Sequence, residues 1–150
     1  MSDEAKKPTR AERLAALEKK QADRDAAEAE AREEQYVTDR EAIAALSDKL
    51  GVRVHHSKQV KQFVPGVPVI VGVRAPEAGE YKRLFSKVNN AKNGDARVAA
   101  LNELAQSCWV YPAEGPERQA MLDANSGLLA SVGNFANKLA EVEIAEEGKD

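Results

Sequence analysis

Residues 67–85, with the sequence VPVIVGVRAPEAGEYKRLF, contain the switch from a strand pattern to a helix pattern that decides the fold. The apolar run at 67–73 is the best strand candidate in the chain, and Pro68 near its start favours an edge strand or a strand beginning. Ala75 and Pro76 end this strand. The apolar residues that follow recur at three- and four-residue spacing, as in an amphipathic helix, and are Tyr81, Leu84, Phe85 and Val88.

The residues before this run predict the rest of a small sheet. Short β-rich stretches contain Val54, Val60 and Phe63, and Pro65-Gly66 is a turn signal. We therefore expect a small β-hairpin or a two- to three-stranded sheet. Because two strands alone are marginally stable, helices must cover one of its faces.

The first third of the chain predicts one long charged helix. Thr9 and Glu12 form the T-x-x-E pattern of a capping box, and no Pro or Gly follows until Gly51, which supplies a stop. A continuous helix over 9–50 would be about 63 Å long at about 1.5 Å per residue. The large apolar residues give way to alanine after Leu17, so a dimeric coiled coil is poorly supported.

We divide the chain into a charged helical arm at 1–35, a small α+β domain at 36–145 and a disordered tail at 146–150. The helix residues that predict packing on the domain share one face and are Ile43, Leu46 and Leu50. Two interpretations of the arm stay open. It is either a solvated charged segment without a specific role or a partner-binding helix that orders on contact.

Further helices make up the C-terminal half, so the predicted class is α+β, mainly helical, with a C-terminal helical bundle. Asp95 can cap the helix that leads into CWVYP at 108–112, and Pro116 can start the next one. Gly133 lies within the last helix, where it costs roughly 1 kcal/mol relative to Ala, so we expect a close helix crossing there.

The residues that could carry chemistry form no recognisable catalytic or metal-binding pattern. Cys108 lies in an apolar run beside Trp109 and is interpreted as a buried structural thiol rather than a nucleophile. His55 and His56 are adjacent, so on a strand they point to opposite faces, which disfavours a shared metal ion. No phosphate-binding loop occurs. The sequence therefore predicts a protein that is not an enzyme, with no catalytic residues, cofactor or metal.

The charge distribution is uneven, although the formal net charge is only −3. Residues 51–100 hold nine Lys and Arg against three Asp and Glu, whereas residues 101–150 hold three against nine. A basic middle could attract nucleic acid, but its acidic neighbours weaken that field. The N-terminus lacks the apolar stretch of a secretory signal, and the longest apolar run is too short to span a bilayer. We therefore expect a cytoplasmic protein without a membrane segment.

Five short motifs occur in an order that is similar to a known family. They are RAP at 74–76, EYKRLF at 80–85, CWVYP at 108–112, GLL at 127–129 and VGN at 132–134. Over residues 67–140 the chain resembles the small tail assembly chaperones of long-tailed bacteriophages. Trp109 replaces a small β-branched residue of that pattern, and Ser126 stands where proline is frequent. The charged arm is not part of the shared core.

The resemblance implies a helper of phage tail building in the cytoplasm of the bacterial host. Such proteins bind the tape-measure protein, keep its apolar helices soluble and recruit tail-tube subunits, and the family has no catalytic residues. The candidate partner-binding or core residues are Tyr81, Phe85, Trp109, Tyr111, Leu128, Leu129, Asn134 and Phe135. Alternatives are a virion structural or accessory protein retained in the particle and, from the basic middle, a nucleic-acid-binding adaptor. Oligomeric state and self-association stay open.

Overall fold

The computed structural model describes residues 6–147, and in this range the chain has five helices and one three-stranded antiparallel sheet. In chain order the elements are α1 (Arg10–Leu50), β1 (Val54–His56), β2 (Gly72–Arg74), α2 (Ala78–Asn89), α3 (Gly94–Cys108), β3 (Trp109–Tyr111), α4 (Pro116–Ala124) and α5 (Leu128–Glu147). This confirms the predicted α+β class, mainly helical, with a long N-terminal helix and a small sheet.

The two ends of the chain extend past the described residues. Residues 1–5 of the predicted arm and residues 148–150 of the predicted tail lie outside them. The first two residues of that tail, 146–147, belong to α5, so the tail prediction begins too early. Both are glutamates, which are good helix formers and allow the helix to continue.

Helix α1 begins and ends at the residues that the capping pattern predicts. The Thr9 hydroxyl accepts the backbone N–H of Glu12 at 3.1 Å, and Gly51 closes the last turn at a φ of 68°. Ile43 is buried, as expected, but Leu50 is 47% exposed. The face of α1 that packs on the domain therefore ends before the C-terminal end of the helix.

Contacts between α1 and the domain begin at Arg32. Its guanidinium donates to the carbonyl oxygens of Val60 and Lys61 at 2.7 and 3.0 Å and lies 5.6 Å from the ring centroid of Phe63. The last turn of the predicted arm thus already contacts the domain. We call residues 10–31 the exposed segment, because every residue in this range is exposed.

Strand β2 is the middle strand, with β1 and β3 antiparallel on either side. Val54 of β1 pairs with Arg74 of β2, and a register shift at Gly72 and Val73 interrupts the pairing with β3. The helix that leads into CWVYP at 108–112 ends at the first residue of the motif. The next three residues form β3, a strand that the sequence pattern does not predict.

The strand predicted at 67–73 is shorter and later, because β2 covers Gly72–Arg74. The residues before β2 run beside 57–60, and Val60 N donates to Val69 O at 2.8 Å. This segment is buried on two sides, by α1 on one and by the C-terminal helices on the other. A run of consecutive apolar residues suits burial on two sides. Such a run has no alternation, so it does not distinguish a regular strand from an irregular buried segment.

Local capping residues begin the C-terminal helices. Glu77 and Glu80 form a capping box for α2. Asn93, and not the predicted Asp95, caps α3, since its Oδ1 accepts a first-turn N–H at 2.9 Å. Asp95 lies in the first turn of α3, where its negative charge still interacts favourably with the helix dipole. Pro116 is the first residue of α4, as predicted.

Helix α5 crosses α3 at Gly133, in agreement with the close crossing expected from the sequence. A Cβ added to Gly133 would lie 2.3 Å from the carbonyl oxygen of Leu101 and 2.8 Å from its carbonyl carbon. Backbone therefore occupies the space that a side chain would need. Val132 and Ala136 flank the crossing and belong to the same buried cluster as Leu104, so the α3–α5 contact is central to the larger core.

We expect Gly133→Ala to destabilise the protein by about 3 kcal/mol, because a methyl group must displace the α3 backbone. This outweighs the roughly 1 kcal/mol by which Ala favours a helix over Gly. Gly79→Ala is the matched control, since a Cβ on that α2 residue meets no atom within 4 Å. Urea denaturation of both variants measures the difference. A Gly133→Ala protein as stable as the wild type would show that α3 and α5 can move apart to accommodate the methyl group without loss of stability.

Candidate protein-interaction surfaces

Asp39 of α1 is fully buried, and its carboxylate connects three parts of the chain. Oδ2 accepts the backbone N–H of Val69 at 2.7 Å. Oδ1 accepts the Tyr111 hydroxyl at 2.7 Å and the Gln35 side-chain amide at 2.9 Å. A buried carboxylate is costly unless hydrogen bonds replace its water, and these donors supply them. The cluster therefore fixes α1 against β3 and the segment before β2.

Tyr111, one of the candidate residues, belongs to this buried cluster rather than to a partner surface. Burial and the hydrogen bond to Asp39 raise the pKa of its hydroxyl, so the phenol stays a neutral donor. No role is predicted for Asp39 from the sequence, although the sequence contains a signal of its burial. Asp39 shares a helical face with Tyr36 and Ile43 at three- and four-residue spacing. A charged residue within an apolar stripe indicates a buried hydrogen-bonding partner.

Trp109 is a core residue, 4% exposed, that packs against the buried Arg118. The Arg118 guanidinium lies 4.5 Å from the indole centroid and donates to the carbonyl oxygens of Pro112 and Trp109, both at 2.9 Å. The indole N–H donates to Tyr111 O at 2.6 Å. This cation–π pair holds α4 against β3. A lone Arg on a short helix carries no sequence pattern, so its role is visible only in the structure.

Two charged motif residues, Arg74 and Glu80, form a bidentate ion pair. The guanidinium donates to both carboxylate oxygens at 2.8 and 3.0 Å and also to Ser107 O at 2.8 Å. The hydrogen bond to Arg74 lowers the pKa of Glu80, and the same bond raises the pKa of Arg74, so both groups stay charged. The pair connects β2, α2 and the last turn of α3, which gives it an architectural role.

The thiol of Cys108 is buried at the end of α3, which confirms the interpretation as a structural cysteine. Burial raises the pKa of Cys108 to about 11. At cellular pH the group is therefore a neutral thiol, and the thiolate that a nucleophile requires is scarce. Its neighbours in the buried cluster are apolar and include Leu104 and Trp109.

Within residues 6–147, no three or more metal-ligating side chains come together, and none of the helices has the length and apolar character to cross a bilayer. His56 is exposed and lies edge-on to Tyr36, with ring centroids 6.3 Å apart. His55 is half-buried. The two histidines thus lie in different surroundings, as expected for neighbours on a strand.

Tyr81 and Phe85 form an aromatic pair on α2, in which Phe85 is exposed and Tyr81 is half-buried. Their ring centroids are 6.2 Å apart, with an angle of 29° between the planes, and Phe85 is 57% exposed. Leu84, between them in sequence, is buried in the core. The predicted apolar face of α2 is therefore wider than the bundle covers, and Phe85 lies outside the covered part. Exposed aromatic side chains of this kind are typical of binding surfaces.

Three other candidates line one open groove between residues 57–62 and the start of α5, which we call the α5 groove. Leu128 and Phe135 are half-buried in its floor, and Asn134 is exposed beside them. Leu129 instead lines a second depression, beside α4. The structure thus separates two neighbouring leucines that the sequence interpretation groups together.

We expect Asp39→Ala to cost about 3–5 kcal/mol, because it leaves buried donors without an acceptor. Tyr111→Phe should cost less, about 1–2 kcal/mol, since one hydrogen bond is lost and the carboxylate keeps two. Asp48→Ala is the control, an exposed Asp on the same helix, and should leave stability unchanged. Denaturant titration checks the order. Equal effects of Asp39→Ala and Asp48→Ala would contradict the role of the cluster.

We expect iodoacetamide to label Cys108 much more slowly in the native protein than in the unfolded chain. A pKa of about 11 in place of 9.0 lowers the thiolate population near neutral pH about a hundredfold, and burial slows access further. Mass spectrometry of timed samples, with and without guanidinium, measures the two rates. Similar rates would show that the thiol is accessible in the folded state.

The structure divides the eight candidate residues into groups with different roles. Trp109 and Tyr111 are structural, Tyr81 and Phe85 form a partly exposed pair, and the residues near α5 divide between two depressions. Comparisons with protein-family models, curated proteins and solved structures find no match to this chain. Its function must therefore be argued from its own residues and their contacts.

Proposed function

We propose that this protein is a phage tail assembly chaperone that binds the tape-measure protein and helps recruit tail-tube subunits in the cytoplasm of the bacterial host. The observation that carries the proposal is the Tyr81–Phe85 pair on α2, in which Phe85 is 57% exposed. The pair lies within EYKRLF at 80–85, one of the motifs on which the resemblance rests. Aromatic side chains that remain in water suit contact with another polypeptide.

The contacts of the other motif residues set this pair apart. The Arg74–Glu80 ion pair and the close crossing at Gly133 hold the helices of the bundle together. They explain why those residue types occur at those positions, and they give α2 a fixed orientation. Phe85, in contrast, is 57% exposed, and its ring stacks on the half-buried Tyr81. The resemblance supplies the expected role, and the pair supplies a surface that suits it.

An amphipathic helix of the tape-measure protein is the partner that this surface suits best. Its apolar side chains would cover the two rings and remove them from water. Lys82 and Arg83 are exposed next to Tyr81 on α2 and would attract acidic side chains at the edge of the contact. Covering apolar helices in this way would limit their aggregation before tube subunits arrive.

We expect Phe85→Ala to weaken binding of a tape-measure fragment by about tenfold or more, because the truncation removes an aromatic contact from the interface. The melting temperature should stay the same, since Phe85 is mostly exposed. Val98→Ala is the matched control, because Val98 is 46% exposed on α3, outside the motifs. Co-expression followed by pull-down measures the binding, and the soluble fraction of the fragment measures the chaperone effect.

Full capture of the fragment by both Phe85→Ala and Tyr81→Ala would contradict the proposal. Mass spectrometry of purified virions separates a chaperone from a component of the particle. A chaperone leaves before the virion matures and should be missing from it. Stoichiometric amounts in the virion would instead identify a structural or accessory protein.

A further inference from the structure

The α5 groove combines an apolar floor with a rim of positive charge. Leu128 and Phe135 form the half-buried floor, and Lys58, Lys61 and Lys138 are exposed around it. No Asp or Glu lines the groove, and among the described residues these lysines form no ion pair. Such a groove favours an occupant whose small or apolar face is bordered by carboxylates.

The exposed segment of α1 carries a face with that chemistry. Ala22, Ala26 and Ala29 recur at four- and three-residue spacing, and Asp25 and Glu30 lie on either side of this row. All five residues are exposed. Between Ala22 and Glu30, four carboxylates accompany a single Arg. Residues 22–30 of the segment are therefore acidic, whereas the rim of the α5 groove is basic.

The exposed segment does not lie in the groove of its own chain. Helix α1 continues without Gly or Pro from Arg10 to Leu50, and Arg32 is hydrogen-bonded to the carbonyl oxygens of Val60 and Lys61. The segment beyond Arg32 leaves the domain and cannot turn back into the groove unless the helix breaks. At about 1.5 Å per residue it projects by about 33 Å, which is long enough to reach another molecule.

We propose that the α5 groove binds the exposed segment of a second copy of this chain. The alanine row lies against the apolar floor, and the two carboxylates that border the row lie near the lysines of the rim. Because each copy has one groove and one exposed segment, a two-fold symmetric pair satisfies both contacts at once. These surfaces are separate from the Tyr81–Phe85 pair, so this inference does not depend on the proposed function.

Charge-reversal substitutions on each of the two surfaces, made in the full chain, test the proposal. One variant carries Asp25→Lys with Glu30→Lys, and the other carries Lys58→Glu with Lys138→Glu. Either variant alone opposes like charges at both contacts, whereas a mixed dimer places lysines opposite carboxylates at both. In sedimentation equilibrium at low ionic strength, we expect wild-type dimers, a dissociation constant raised about tenfold or more for each variant alone, and its recovery in the mixture.

Lys92→Glu with Arg97→Glu is the matched control, since both residues are basic and exposed on the domain outside the α5 groove. This variant should dimerise like the wild type, and circular dichroism checks that every variant stays folded. A wild-type chain that stays monomeric, a single variant that dimerises as strongly as the wild type, or a mixture that does not associate would each overturn the proposal. All of these outcomes leave the Phe85→Ala experiment unaffected.

Discussion

A carboxylate removed from water must regain its hydrogen bonds inside the protein, and Asp39 receives three of them from separate parts of the chain. The hydrogen bond from Val69 satisfies a backbone N–H in an irregular buried segment, and the hydrogen bond from Tyr111 connects α1 to β3. Rotation of α1 by one residue would put Thr38 or Arg40 in this position. Arg40 has no acceptor, and the single hydroxyl of Thr38 cannot replace two carboxylate oxygens. The orientation of α1 on the domain, and hence the direction in which its N-terminal half projects, follows from this requirement.

The parts of the fold that the sequence predicts well are those set by local chemistry. Thr9 and Gly51 bound α1, and Pro116 starts α4, because capping and φ restriction act within one turn. The strands are harder to predict from local chemistry. Residues 109–111 become extended because β2 and Arg118 hold them. Trp, Val and Tyr all favour a strand, but three such residues directly after a helix are too few to predict one. The run at 67–73 has no alternation, because helices cover it from two sides.

The candidate surfaces show a related limit. Trp109 and Phe85 are both aromatic residues within motifs, yet one is in the core and the other is in water. The difference depends on which neighbouring element covers each side chain, and that is a property of the assembled bundle. Asp39 and Arg118 escape prediction for the opposite reason, since charged residues are assigned to the surface by default. The burial of Arg118 becomes understandable only once its acceptors are known, whereas the apolar stripe around Asp39 already indicates burial in the sequence.

The unbroken course of α1 also has a mechanical consequence. From Arg32 to Arg10 the helix measures about 33 Å, so it acts as a lever that pivots where it is held to the domain. A tilt of about 10° at that point moves the tip by about 6 Å. Small angular fluctuations thus enlarge the volume that the tip searches. In the opposite direction, a load applied at Leu14 or Leu17 reaches the domain as torque.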